Sequence, residues 1–105
     1  MRIYGLKSCD TCRKAMKSLD KFSLVDVRSA GIPPDLLSRA YAQFGESLVN
    51  KRSTTWRGLS ESERQTAPLE LLATHPTLMK RPLIQAGDRL WLGWDAATRA
   101  GLGVA

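Results

Sequence analysis

The sequence predicts an α/β protein: a four-stranded mixed sheet flanked by helices, with a helical insertion between strands 2 and 3. Three observations predict it. The chain opens with a strand, an amphipathic helix and a second strand, an order that makes the two strands parallel neighbours with a right-handed crossover. It closes with two apolar runs flanking Gln85-Ala86-Gly87-Asp88, a hairpin signal. The residues from roughly 30 to 80 carry helical patterns and capping signals instead.

The first strand is Arg2-Ile3-Tyr4, and Leu6 to Cys12 reads as a loop. The first helix is expected over Arg13 to Phe22. Cys12, Ala15, Met16, Leu19 and Phe22 follow the spacing of one helical face, with Arg13, Lys14, Lys17, Ser18 and Lys21 on the other side. Leu24-Val25-Asp26-Val27 alternates and is β-branched, which predicts the second strand. Ala30-Gly31-Ile32-Pro33 breaks the chain. Pro34 or Asp35 opens a helix with Leu36, Leu37, Ala40, Tyr41 and Phe44 on one face, and Gly45 ends it.

Asn50 to Gly58 is polar and basic and reads as a loop. Ser60 and Glu63 have capping-box spacing, so a short helix starts there. Pro68 to Ala73 reads as another helix. His75-Pro76 stops it, because a residue before proline resists helical geometry. Leu83-Ile84 and Arg89–Leu92 form the closing hairpin. Asp95 is placed to cap a last helix over Ala96 to Ala100, and residues 101–105 read as a frayed tail. This order resembles the thioredoxin-like layout. In that layout a proline before the third strand opposes the first helix turn, so Arg81-Pro82 is expected to be cis.

The 105 residues fit one domain, 1–105, with a hydrophobic core. A hydrophobic share of 43% and a charged share of 25% fit a globular protein. No apolar run approaches the ~20 residues of a membrane span, so no membrane partner is expected. Lys7 interrupts the N-terminus and no apolar stretch follows, so no signal peptide is expected. A cytoplasmic location follows from that reading. Two cysteines in such a compartment point to transient, catalytic disulfide chemistry.

The formal net charge is +6. The cations fall in three groups: Lys7, Arg13, Lys14, Lys17 and Lys21; then Lys51, Arg52 and Arg57; then Lys80 and Arg81. They form no nucleic-acid-binding motif and are not interleaved with aromatics for base stacking, so direct nucleic-acid binding is not expected. A solvated surface or an anionic ligand fits them.

Cys9-Asp10-Thr11-Cys12 falls at the first strand-to-helix turn. There a sulfur faces unsatisfied N–H groups and the positive end of the helix dipole, and both favour the thiolate. A second thiol three residues on can resolve a mixed disulfide formed by the first. Structural zinc usually takes four ligands, whereas this chain offers two cysteines and one histidine, His75. No metal is therefore expected. Two buried core cysteines are the other alternative.

Several motifs together resemble the ArsC family, which takes in arsenate reductases, Spx-type regulators and YffB-like proteins. They are Ile3-Tyr4-Gly5 before Ser8–Ala15, then Leu48–Arg57, then His75-Pro76-Thr77-Leu78-Met79-Lys80-Arg81-Pro82-Leu83-Ile84. The resemblance spans almost the whole chain and implies a thioredoxin-like fold. It implies that Cys9 is the attacking cysteine and that Arg81, before Pro82, holds substrate. Two further arginines of the arsenate reductases' oxyanion site fall at Asn50 and near Leu92 here. An amide or an aliphatic chain does not reproduce bidentate guanidinium geometry.

The resemblance implies a thiol–disulfide reductase with no bound cofactor and with glutathione as reductant. Its alternatives are a glutathione- or glutaredoxin-dependent arsenate reductase and a redox-sensing regulator that binds RNA polymerase. Cys12 is either the resolving thiol or a packing residue. Arg13 either stabilises an anion or is solvated. Lys51 and Arg52 either hold glutathione carboxylates or belong to a solvated loop. His75 reads as a helix C-terminal cap, Asp10 as a helix cap, and Trp56, Trp91 and Trp94 as core or rim residues.

Overall fold

The computed structural model describes residues 1–104; Ala105, the end of the expected tail, lies outside the described residues. The elements run β1 (Arg2–Gly5), α1 (Asp10–Ser18), β2 (Ser23–Asp26), α2 (Val27–Ala30), α3 (Pro34–Phe44), α4 (Thr54–Arg57), α5 (Glu61–Arg64), α6 (Pro68–Thr74), β3 (Leu83–Ala86), β4 (Arg89–Leu92) and α7 (Ala96–Gly101). Single 3₁₀ turns follow α3 and α6. The chain divides into two compact units, one of Met1–Ala30 with Arg81–Ala105, the other of Gly31–Lys80.

The first unit holds the sheet, with strand order β2-β1-β3-β4. β1 and β2 are parallel, with Ile3 opposite Leu24. β3 runs antiparallel to β1 with Ile3 opposite Ile84, and β4 is antiparallel to β3. The predicted mixed sheet is therefore present, and Arg81-Pro82 is cis. Gly87-Asp88 is a two-residue turn closed by the Ala86–Arg89 pair. Gly87 has φ +59°, a left-handed conformation that glycine takes at little cost.

Ile3, Ala15, Leu19 and Ile84 form the centre of this unit's core, with Met16, Phe22, Trp91 and Trp94 packed around it. Two expected boundaries are corrected. Helix α1 begins at Asp10 and ends at Ser18, not Arg13 to Phe22, because Leu19 is extended (φ −102°, ψ 136°). Leu19 and Phe22 still reach the core, from a turn and not from the helix. Their apolar character alone mimicked another helical turn.

Strand β2 ends one residue early, at Asp26, whose carboxylate accepts from the Arg28 and Ser29 N–H groups and turns Val27 into α2. Asp95 caps α7 as expected, accepting from the Thr98 N–H at 2.8 Å. The described tail is not frayed. Leu102 and Val104 pack on the core, and the Val104 N–H reaches the Arg99 carbonyl at 2.9 Å.

The second unit is helical. Leu36, Leu37 and Ala40 of α3 and Leu71 and Leu72 of α6 are buried, and the two helices pack together. An antiparallel bridge pairs Val49 with Met79. The Asn50 N–H donates to Leu78 O at 2.9 Å, and the Lys80 N–H to Leu48 O at 2.8 Å. Ser60 and Glu63 form the predicted capping box. The expected loop 50–58 contains α4, whose cap is Ser53 Oγ accepting from the Trp56 N–H at 3.1 Å. Four residues show too little periodicity for that helix to be read from sequence. His75 ends α6 through its own N–H, 2.7 Å from Leu71 O, and its ring lies 3.7 Å from the Glu63 carboxylate.

Candidate thiol site

Cys9 is the N-cap of α1, with extended backbone (φ −81°, ψ 123°). Its N–H donates to Leu6 O at 3.1 Å, and its carbonyl accepts the first helical bond from Arg13 at 2.9 Å. The side chain makes no cap hydrogen bond of ordinary geometry. It is part-exposed, whereas Cys12, one turn on, is fully buried. Both are free thiols.

The two thiols ionise in opposite directions. Burial alone would raise the Cys9 pKa, but the Cys12 N–H, the Cys12 thiol and the Arg81 guanidinium all favour the Cys9 thiolate, and together they bring it below the ordinary cysteine value. Burial is the main reason that Cys12 is pushed up to about 11; the charge of Cys9 adds to this, while the Leu6 N–H and Arg81 oppose it. The part-exposed thiol is thus the more readily ionised of the two, and the buried thiol holds its proton.

Gly5 shapes the buried side of the site. A Cβ placed on Gly5 would lie 2.5 Å from the Cys12 sulfur and 3.9 Å from the Pro82 Cβ. The sulfur therefore occupies the space that any other residue at position 5 would fill. The Pro82 side chain is itself fully buried. Gly5 was not among the expected site residues, although an isolated glycine within a strand is a recognised sign of close backbone approach.

Arg13 braces the loop before the thiol. Its Nε donates to Lys7 O at 2.7 Å, and its guanidinium lies 4.0 Å from the Asp10 carboxylate. Asp10 is the first residue of α1 and Cys9 takes the cap position, so Asp10 is not the cap that the sequence suggested. The first unit thus gathers Cys9, Cys12, Arg13, Arg81 and Pro82 from α1 and the segment entering β3.

Lys51 and Arg52 belong to the second unit. With Lys80, Asn50, Ser47 and Val49 they line a hollow of about 350 Å³. Asn50 Oδ1 accepts from the Arg52 N–H at 3.0 Å. Lys80 was seen in the sequence as part of a charge group but not as a lining residue; the bridge that carries it beside residues 47–52 joins positions thirty apart. Trp56 has Lys51 and Arg64 over its ring at 5.6 and 5.4 Å. Among the described residues no three His, Cys, Asp or Glu side chains gather as a metal site, and no helix is long and apolar enough to cross a membrane.

The pH dependence of alkylation tests this electrostatic arrangement. Modification of Cys9 by iodoacetamide is expected to rise with pH and level off below the pH range of an ordinary cysteine, while Cys12 lags until the pH nears about 11. Arg81→Ala removes a donor and a charge that favour the Cys9 thiolate. The Cys9 profile should therefore move to higher pH, and alkylation at neutral pH should slow several-fold. An unmoved profile in Arg81→Ala overturns the role of Arg81.

A thiol at a helix N-cap position, beside the arginine that precedes a cis-proline, on a mixed four-stranded sheet, defines a thioredoxin-like thiol protein. The ArsC family model matches residues 4–100, and the chain belongs to the ArsC family. An uncharacterised protein of Haemophilus influenzae is 42% identical over 89% of this chain and 90% of its own. A solved structure described as a YFFB protein superposes with a TM-score of 0.86 at 30% identity, covering 95% of this chain and 96% of the other. An arsenate reductase (ArsC) related protein from Brucella melitensis gives a TM-score of 0.68 at 29% identity, covering 98% and 94%. Family membership and these relatives support a thiol-dependent reductase in general terms.

Proposed function

We propose that this protein is a thiol–disulfide reductase in which Cys9 attacks and Cys12 resolves, with glutathione as the external reductant. The observation that carries the reading is a part-exposed Cys9 at the N-cap of α1, with the fully buried Cys12 thiol one turn on and Arg81 beside it. The Cys9 thiolate attacks one sulfur of a disulfide RS–SR′. One S–S bond forms as the other breaks, and R′S⁻ departs and takes a proton from solvent. Cys9 then carries no charge, and the part of the upward push on Cys12 that comes from the Cys9 thiolate disappears.

Cys12 can now lose its proton and attack the Cys9 sulfur, releasing RS⁻ and leaving a Cys9–Cys12 disulfide. A glutathione thiolate opens that disulfide, and a second one releases oxidised glutathione and restores both thiols. The two electrons given to the substrate thus come from two glutathione molecules. Arg81 favours the attacking thiolate and is the cation beside it for an anionic substrate. Within the second unit, the hollow lined by Lys51, Arg52 and Lys80 offers charge to a carboxylate.

The second reading is reduction of arsenate, which the relative described as arsenate reductase related favours. Glutathione-coupled turnover of a small mixed disulfide and of arsenate, run side by side, separates the readings. Turnover of the disulfide alone is expected. Turnover of arsenate alone overturns the disulfide reading in favour of the oxyanion. No turnover of either, with a Cys9–Cys12 couple that still oxidises and reduces, overturns both. It leaves a redox-responsive protein whose partner, RNA polymerase among the candidates, binds one state only.

A further inference from the structure

We infer that the exposed face of α1 is a docking surface for an acidic protein or peptide that carries the disulfide substrate. The inference rests on the reductase reading and adds the class of substrate. The mechanism above uses Cys9, Cys12 and Arg81 and leaves the cations of α1 without a task. Between Lys7 and Lys21 the sequence carries five cations and two carboxylates, Asp10 and Asp20. All seven are exposed.

Their placement on the helix is what singles them out. Cys9, Arg13 and Lys17 stand at i, i+4 and i+8, one row along a single side of the helix. Lys17 lies about 12 Å along the axis from the thiol, at 1.5 Å rise per residue. Lys14 flanks that row. Cys12 and Ala15 occupy the opposite, buried side. A partner whose disulfide reaches the part-exposed Cys9 therefore lies against these cations.

Asp10, the one acidic residue of α1, stands 4.0 Å from Arg13, which is also bound to Lys7 O. Lys14 and Lys17 are the charges that remain to face a partner. Opposite charge within about a Debye length, ~10 Å at 0.1 M salt, steers an encounter and holds it in register. Docking changes no bond; the exchange that follows is the one written above, with R the acidic chain.

Two mixed-disulfide peptides with glutathione test the inference, identical except that Glu flanks the cysteine in one and Gln in the other. Exchange with the reduced full chain is followed at low salt and near 1 M salt. Each rate is divided by that variant's rate of alkylation by uncharged iodoacetamide, which removes any change in Cys9 nucleophilicity. The Glu peptide is expected to react about tenfold faster at low salt, with the advantage gone near 1 M. In Lys14→Glu/Lys17→Glu the preference should fall to the Gln peptide. Exchange of both peptides at one rate, or a Glu preference that survives in the double variant, overturns the docking surface and leaves the reductase reading standing. No exchange of either peptide overturns both.

Discussion

Cys9→Ser is expected to lower turnover of a disulfide by about 10³-fold or more, the scale seen when a nucleophile is removed. A serine hydroxyl in the same cap position is not ionised at neutral pH, and the donors that favour the thiolate cannot compensate. Cys12→Ser is expected to behave differently. The attacking thiol is still present and a serine hydroxyl can still donate to it, so the first exchange should proceed. The mixed disulfide then has no internal resolving group. It should accumulate and be seen by intact-mass spectrometry as the protein plus one substrate half. Glutathione can still clear it from outside, so turnover should fall less than with Cys9→Ser. If Cys12→Ser turns over at the wild-type rate and traps nothing, Cys12 is a packing residue and resolution belongs to glutathione. If Cys9→Ser keeps its activity, the assignment of the attacking thiol is wrong.

Gly5→Ala has the largest expected structural effect. The added methyl would overlap the Cys12 sulfur at 2.5 Å, and Cys12 is fully buried. Overpacking of this kind costs about 1–3 kcal/mol. In a domain of this size that is a fall in Tm of roughly 4–8 °C per kcal/mol. The cause can be separated from any general strand defect by a double-variant cycle. With Cys12→Ala the sulfur is gone, and the nearest remaining Cys12 atom, its Cβ, is 3.5 Å away, an ordinary contact. Gly5→Ala should then cost little, and it gains slightly by replacing glycine in a strand. The cycle should be strongly non-additive. Equal losses in both backgrounds would show that the sulfur is not what position 5 accommodates.

These two predictions turn on Cys9 and on the packing of Cys12 against Gly5, and different information leads to each. The position of the thiol pair was legible from sequence because a strand, a turn and an amphipathic helix are local patterns. A CxxC at their junction acquires its electrostatics from the first helical turn. The expected start of the helix at Arg13 was three residues late, since Asp10 and Thr11 carry no apolar periodicity. The earlier start places Cys9, and not Cys12, at the N-cap.

The parallel pair, the closing hairpin, the Ser60–Glu63 capping box and the Asp95 cap were likewise legible, each depending on residues within a few places of one another. The family motifs pointed to Arg81 and the cis bond before Pro82. Where local signals ran out, tertiary contacts decided. Phe22 and Leu19 have helical spacing but reach the core from a turn. Val104 has no pattern at all and is held by packing and by one bond to Arg99.

The sequence by itself determined the element order, the position of the thiol pair and the surplus of positive charge. Only the tertiary structure decided how the two thiols differ in burial and in ease of ionisation. That difference needs Arg81, some seventy residues away in sequence, beside Cys9. It also needs burial of Cys12 in the space left by Gly5. Desolvation and the field of a distant guanidinium act through space, so no local pattern in the chain encodes their balance.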